Sequence, residues 1–294
     1  HSVWLTLIVS SMAISACGGG SASEAPFSSE RVASWAVVDE TERCTDREDP
    51  DLLLPDLVAE VRDIRINESV DGRRVRFSSV VYNYGEGPLI MQARTVEGPN
   101  GESISEAWQQ IWKKDGSSCV RLAGEFEYHY LHTHWHFDDF NRYELRRGTV
   151  PLEGDVVGET SKVSFCIADT VNQGGFHRQV GSNCGRAEGV QGLSVGWGDM
   201  YDFNLIDQYI DVDTDPTIEV PAGQYILSNI ADPNDRLWEI DDSLSHNMDY
   251  EIIDLQARIA DRNPVPTSPP PPTRVSTPTP VPTWTPFPTR TIAR

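Results

Sequence analysis

Residues 73–89 read RRVRFSSVVYNYGEGPL. Apolar and polar side chains alternate through the first half of this run, which is the period-two signature of a strand with one face on a core. Valine, phenylalanine and tyrosine are also the residues a pleated surface accommodates best. The preceding NESVDG (67–72) is turn chemistry. Working outward, the same pattern recurs in KVSFCIAD (162–169), DQYIDV (207–212) and GQYILSNIAD (223–232). The breaks GPNGES, NQGG, DTDP and DPND separate these strand-length runs. Only SEAWQQIWKK (105–114) reads as a helix of more than two turns. The expectation is a mainly β, sandwich-like single domain with long loops and few short helices.

The two ends of the 294-residue chain have a different character. Residues 3–16, VWLTLIVSSMAISA, form an apolar run too short to span a bilayer. They lead into Cys17 and GGGSAS, and ISAC resembles a bacterial lipobox, whose cysteine is lipidated. Residues 1–17 therefore read as a signal segment truncated at its start, and 18–50 as a linker. The tail carries 11 of the 20 prolines in NPVPTSPPPPTRVSTPTPVPTWTPFPTR. A Pro/Thr composition of this kind runs as an extended, disordered stalk or linker. The expected division is thus a domain over 51–260 and a Pro/Thr-rich tail over 261–294. Such a chain belongs on the extracellular face of a bacterial cell, lipid-anchored to the membrane at Cys17 or secreted.

Charge excludes one class of partner. The formal net charge is −21, and the tail from Pro264 contributes three positive charges, so the remainder carries −24. That argues against nucleic acid. A cationic or amine-bearing partner fits it, as does a surface kept soluble by its charge. Besides Cys17 there are four cysteines, Cys44, Cys119, Cys166 and Cys184, an even number that predicts two disulfides with three possible connectivities. No CxxC pair is present, so thiolate metal binding is not indicated.

Histidine carries the chemistry instead. The stretch YHYLHTHWHFDDF (128–140) holds four of the seven histidines. His132, His134 and His136 are spaced i, i+2, i+4, which on a strand places all three on one face, about 6.6–7 Å between successive side chains. On a helix they would spread over roughly 200° of arc. The spacing predicts a strand bearing a metal site, with Thr133 and Trp135 on its other face. Three imidazoles suit copper, zinc, iron or nickel alike. His129 lies out of phase with the three and reads as a supporting residue or a structural histidine.

Five blocks in order complete the reading: LPDLVA (54–59), HTHWHFDDFNRYEL (132–145), SKVSFCIADT (161–170), QGLSVGWGDMY (191–201) and the QYIDV…PAGQYIL run. Together they resemble the catalytic domain of the lysyl oxidases over roughly 54–256. The resemblance implies copper held by His132, His134 and His136. It implies a lysine tyrosylquinone cofactor made from Lys162 and Tyr201. The implied reaction uses dioxygen to convert a primary amine, on peptidyl lysine, a lysine-rich protein or a small molecule, to an aldehyde with release of hydrogen peroxide and ammonia. Composition supports Lys162 separately, because only Lys113, Lys114 and Lys162 among the 24 cationic residues are lysine. An amine can add covalently to a quinone, whereas a guanidinium is too weak a nucleophile.

The chain departs from the animal enzymes at two places. Leu131 stands where they carry a cysteine, which removes one family disulfide and makes Cys166–Cys184 the suggested replacement. Arg142 stands where they have a histidine discussed as the catalytic base. That leaves Asp138, Asp139 and His177 as candidates for the base. Two other functions compete: a copper-binding extracellular surface protein without quinone catalysis, and a three-histidine metal oxygenase. Retention of both Lys162 and Tyr201 speaks against simple metal storage, which needs neither.

Overall fold

The computed structural model describes residues 42–69, 72–160, 163–175, 177–215 and 217–259. Cys17, the 1–17 and 18–41 segments, Lys162 and the tail from 260 onward lie outside the described residues. In chain order the first strands are β1 (Leu52–Leu53), β2 (Leu57–Ser69), β3 (Gly72–Asn83), β4 (Leu89–Glu97), β5 (Ser103–Lys113), β6 (Ser118–His129), β7 (His134–Phe137) and β8 (Asn141–Arg147). They are followed by β9 (Val156–Glu159), β10 (Val171–Asn172), β11 (Val190–Leu193), β12 (Trp197–Tyr201), β13 (Tyr209–Asp211), β14 (Gly223–Ala231), the four-residue helix α1 (Leu244–Asn247) and β15 (Met248–Leu255). The protein is mainly β, as the alternating runs imply.

Three antiparallel sheets enclose one core. The first runs β11-β4-β5-β6-β7 with β1 added on β5; the second runs β10-β12-β3-β13 with β2 on β3; the third runs β15-β14-β8-β9. Phe77 and Val81 from β3, Met91 from β4, Phe126 from β6, Phe137 from β7, Tyr143 from β8 and Leu227 from β14 all join the same buried cluster. Each large apolar side chain buried in this way contributes on the order of 1.5–3 kcal/mol. The opening stretch behaves as read: β3 alternates from Gly72 to Phe77 and is then buried on both faces from Ser78 to Asn83. It pairs with β2 on one side and with both β12 and β13 on the other.

Residues 105–114 correct the helical reading. SEAWQQIWKK falls almost entirely within strand β5, which is hydrogen-bonded between β4 and β6. Residues Ala107–Ile111 are buried without interruption because β5 is covered on both faces, so the period-two signal is erased. Pairing with two neighbours then outweighs the helical propensity of the segment.

Two disulfides form, Cys44–Cys119 and Cys166–Cys184, with Cα–Cα distances of 5.0 and 5.8 Å. The first ties the start of the described chain to β6 beside a small cluster of Leu52, Leu54 and Ile111. The second is the pairing suggested as a replacement for the family disulfide that Leu131 removes. A buried cation is also accommodated: Arg73 is 2 % exposed. Its guanidinium grips both oxygens of Asp213 at 2.9 and 2.8 Å and donates to the carbonyls of Val220 and Gln256. All of these bonds together make burial of the charge tolerable.

Candidate metal centre

The histidine cluster is built on the β6–β7 hairpin. β6 ends at His129, residues 130–133 turn, and β7 begins at His134. His132 therefore sits in the turn, and the expectation that all three histidines share one strand face is corrected. Its cause is local: Thr133 has a φ of 59°, which breaks the extended path, and the amides of His132 and Thr133 both donate to His129 O. Convergence is reached by another route. The antiparallel register sets His129 opposite His134 and Glu127 opposite His136, while the turn folds His132 back over them.

All four rings meet. Ring centres lie 4.3 Å apart for His129–His132, 4.9 Å for His129–His136, 4.7 Å for His134–His136 and 5.6 Å for His132–His134. One ring nitrogen from each of His129, His132 and His136 falls within 4.8 Å of the others. His129, read from its spacing as peripheral, is thus inside the cluster. His136 is 3 % exposed and its Nδ1 lies 3.3 Å from Ser164 Oγ. His129 Nδ1 is buried and finds no hydrogen-bond partner among the described residues. Leaving such an atom unsatisfied costs about 1–3 kcal/mol. A bound cation would remove that cost, so the residues fit a metal with imidazole ligands.

A second segment is drawn against the hairpin. Phe137 and Phe165 exchange both backbone hydrogen bonds, at 2.8 and 3.0 Å, and Trp135 N donates to Cys184 O. The Cys166–Cys184 disulfide holds the two partners of these contacts together. Tyr201, the last residue of β12, then reaches over from the second sheet. Its hydroxyl donates to Cys166 O at 3.1 Å, and its ring packs edge-on to Phe165 with centres 4.7 Å apart. Burial, and after it the Asp199 carboxyl, push the phenol well above its ordinary value. Asp199 is 3 % exposed and accepts from Thr170 Oγ1 at 3.5 Å.

A cavity of about 450 Å³ joins these parts. His132, His134, His136, Tyr201, Asp199 and Asp207 line it, with Ala168, Met200, Leu205 and Ile206 supplying apolar wall. Three proposed ligands and the proposed cofactor tyrosine therefore open onto one space. Lys162 lies outside the described residues. Two positions on, Ser164 touches His136.

The three candidates for the base are placed elsewhere. Asp138 and Asp139 occupy the turn after β7 and do not line the cavity. Burial and then the neighbouring Asp139 raise the Asp138 carboxyl, whereas Asp139 is engaged by Arg236 and Asn234, both at 2.9 Å. His177 is exposed and also absent from the lining. Arg142 pairs with Glu144 at 3.0 Å. The acids that do line the cavity, Asp199 and Asp207, escaped sequence reading. Asp199 carried one available signal, since it stands two residues before Tyr201 and so shares its side of an extended strand.

Comparison with known proteins agrees with this geometry. The lysyl oxidase family model matches residues 110–255. Lysyl oxidase homolog 2 from Bos taurus is 29% identical over 170 residues, covering 58% of this chain and 17% of that protein. The Mus musculus lysyl oxidase homolog 2 is 30% identical over the same length, again 58% and 17%. Protein-lysine 6-oxidase from Sus scrofa is 33% identical over 110 residues, covering 37% of this chain and 39% of that protein. The likeness thus spans well under two thirds of these relatives. No solved structure matched the chain significantly. From the family model and its named members together, this chain belongs to the lysyl oxidase family.

Proposed function

We propose that the chain is a copper- and quinone-dependent amine oxidase that converts primary amines to aldehydes, using dioxygen and releasing hydrogen peroxide and ammonia. One observation carries this reading: the histidine cluster and Tyr201 face the same cavity. The assigned copper ligands are His132, His134 and His136, and a ring nitrogen of His129 lies within 4.8 Å of one from each of His132 and His136. Held by these histidines, copper together with dioxygen would supply the oxidising chemistry that links Tyr201 and Lys162 as lysine tyrosylquinone, and that group would supply a carbonyl for the amine.

The chain's own residues hold and shield the reactants. Cys166 O and the Phe165 ring fix the Tyr201 side chain, so its ring keeps one orientation in the cavity. Asp199 lies beside the phenol and, after burial itself, its carboxyl opposes ionisation of the hydroxyl and so favours the protonated phenol. Ala168, Met200, Leu205 and Ile206 form the wall along which the methylenes of an alkylamine pack, while Asp199 and Asp207 attract its ammonium head. The name protein-lysine 6-oxidase of one relative supports peptidyl lysine among the substrates. Two disulfides support a site of action in an oxidising compartment outside the cell, and anchoring through Cys17 belongs to the same reading.

Aerobic copper loading followed by addition of n-butylamine tests the proposal. The expected result is peroxide release, an adduct with phenylhydrazine, and a mass spectrum linking the Lys162 and Tyr201 peptides. Copper-loaded protein that shows no peroxide and no such link would overturn the oxidase reading. For the metal centre itself, His134→Ala is expected to weaken copper binding at least about 100-fold, because one of few strong nitrogen donors is lost. Full copper occupancy of that variant in equilibrium dialysis would remove His134 from the ligand set.

A further inference from the structure

The loop from Asp202 to Gln208 begins next to Tyr201 and ends beside β13, and it returns to the histidines at one point. Asp207 Oδ2 lies 3.3 Å from His132 Nε2, and both side chains line the cavity. We propose that Asp207 is a positioning residue for the metal centre: it holds His132 by Nε2, so that Nδ1 of the same ring is presented to the metal. The proposal rests on the copper-site reading above and adds to it a residue from the loop between β12 and β13.

Three observations support it. First, the loop is stitched at every turn, with Leu205 N donating to Asp202 O, Gln208 N to Leu205 O and Tyr209 N to Asp207 O at 2.9, 3.2 and 3.1 Å. Second, β3 anchors it from outside. Arg76 Nη1 donates to both Phe203 O and Leu205 O at 3.0 Å, and its guanidinium sits 5.1 Å from the Tyr209 ring centre. Phe203 N donates to Ser78 Oγ, and Gln208 Nε2 to Ser79 Oγ, both at 3.1 Å. Asp207 is therefore delivered by a loop with little freedom.

The third observation is energetic. Both partners are partly exposed, with side chains 24% and 34% accessible, and contacts of that kind add little to fold stability. The same contact has a much larger effect on a ligand imidazole. A carboxylate on the distal nitrogen fixes the tautomer, limits ring rotation and makes the other nitrogen a better donor. His132 needs such help more than its neighbours, because it sits in a turn beside the strained Thr133 and not on a strand. His136, by contrast, is buried on β7 and already steadied by Ser164.

The test uses the full chain with copper(II) alone, read by competition against a chelator and by electron paramagnetic resonance. Asp207→Ala is expected to weaken copper binding about 10–100-fold, the usual consequence of losing such a partner, and to change the copper spectrum. Asp207→Asn keeps the shape and one oxygen acceptor, so it should fold like wild type and recover part of the affinity. The thermal midpoint of the metal-free variants should match wild type, which separates positioning from a general structural role. Wild-type affinity together with an unchanged spectrum in both variants would overturn the proposal alone. A wild-type chain that takes up no copper would overturn the copper-site reading and this proposal with it.

Discussion

Lys162→Arg is expected to leave copper binding at its wild-type level and reduce amine oxidation to background. The substitution preserves charge and approximate length at a position next to the described segment that begins at Val163, so the histidine hairpin keeps its support. What disappears is an amine able to attack an oxidised tyrosine ring, and a guanidinium is too poor a nucleophile to replace it. No other lysine is free to serve. Lys113 is paired with Asp49 at 3.3 Å, and Lys114 donates to Pro50 O, both at the far end of β5. The variant should show no phenylhydrazine adduct, no peroxide with amines and no link between the 162 and 201 peptides. Turnover equal to wild type would remove Lys162 from the cofactor.

The second large effect concerns stability and pH. Glu239 is 2 % exposed, accepts from Leu57 N at 2.9 Å and Asn247 Nδ2 at 3.0 Å, and is pushed up to about 8 by burial and, after it, by the charge of Asp232. In the unfolded chain its carboxyl ionises near its ordinary value of 4.5. Between these two values the folded protein keeps a proton that the unfolded chain has released. Stability must then fall as pH rises through that window and level off above about 8. The full effect is roughly 5 kcal/mol. Glu239→Gln removes the ionisation while keeping size and an acceptor for the Leu57 amide. Asn247 Oδ1 is itself buried without a partner among the described residues, so a turned Asn247 amide could accept from the new side chain. Urea midpoints should be similar for the two proteins at pH 5 and higher for the variant at pH 8. Parallel curves from pH 5 to 9 would show that Glu239 does not titrate in this way.

Much of the fold was legible because alternation survives wherever one strand face meets the core and the other meets water, as along the first half of β3. It failed at β5, where neighbours on both faces turned Ala107–Ile111 into an uninterrupted buried run that mimics a helix. The site was legible in residue types and less so in geometry. His134 and His136 do lie on a strand, but a positive φ at Thr133 moves His132 into a turn, and register across the hairpin brings in His129. Local spacing cannot reveal a partner supplied by cross-strand pairing. Asp207 shows the same limit over a longer range: it reaches His132 from 75 positions away in sequence, through a loop whose shape is set by β3. Asp138 and Asp139 are adjacent to the histidines in sequence, yet the turn after β7 carries them away from the cavity.

The pairing of β3 also decides how small a working fragment can be. Tyr201 is opposite Ser79 and Tyr209 opposite Arg76 on this one strand, which occupies residues 72–83. The family model itself matches only from residue 110 onward. A chain trimmed to 110–255 would keep the four clustered histidines and Tyr201 while discarding the rail on which Tyr201 and Asp207 are mounted. During folding, likewise, the earliest part of the described domain must wait for strands made more than a hundred residues later, an arrangement of high contact order that favours slow assembly. The histidine hairpin, whose contacts are local, can close long before the tyrosine arrives to face it.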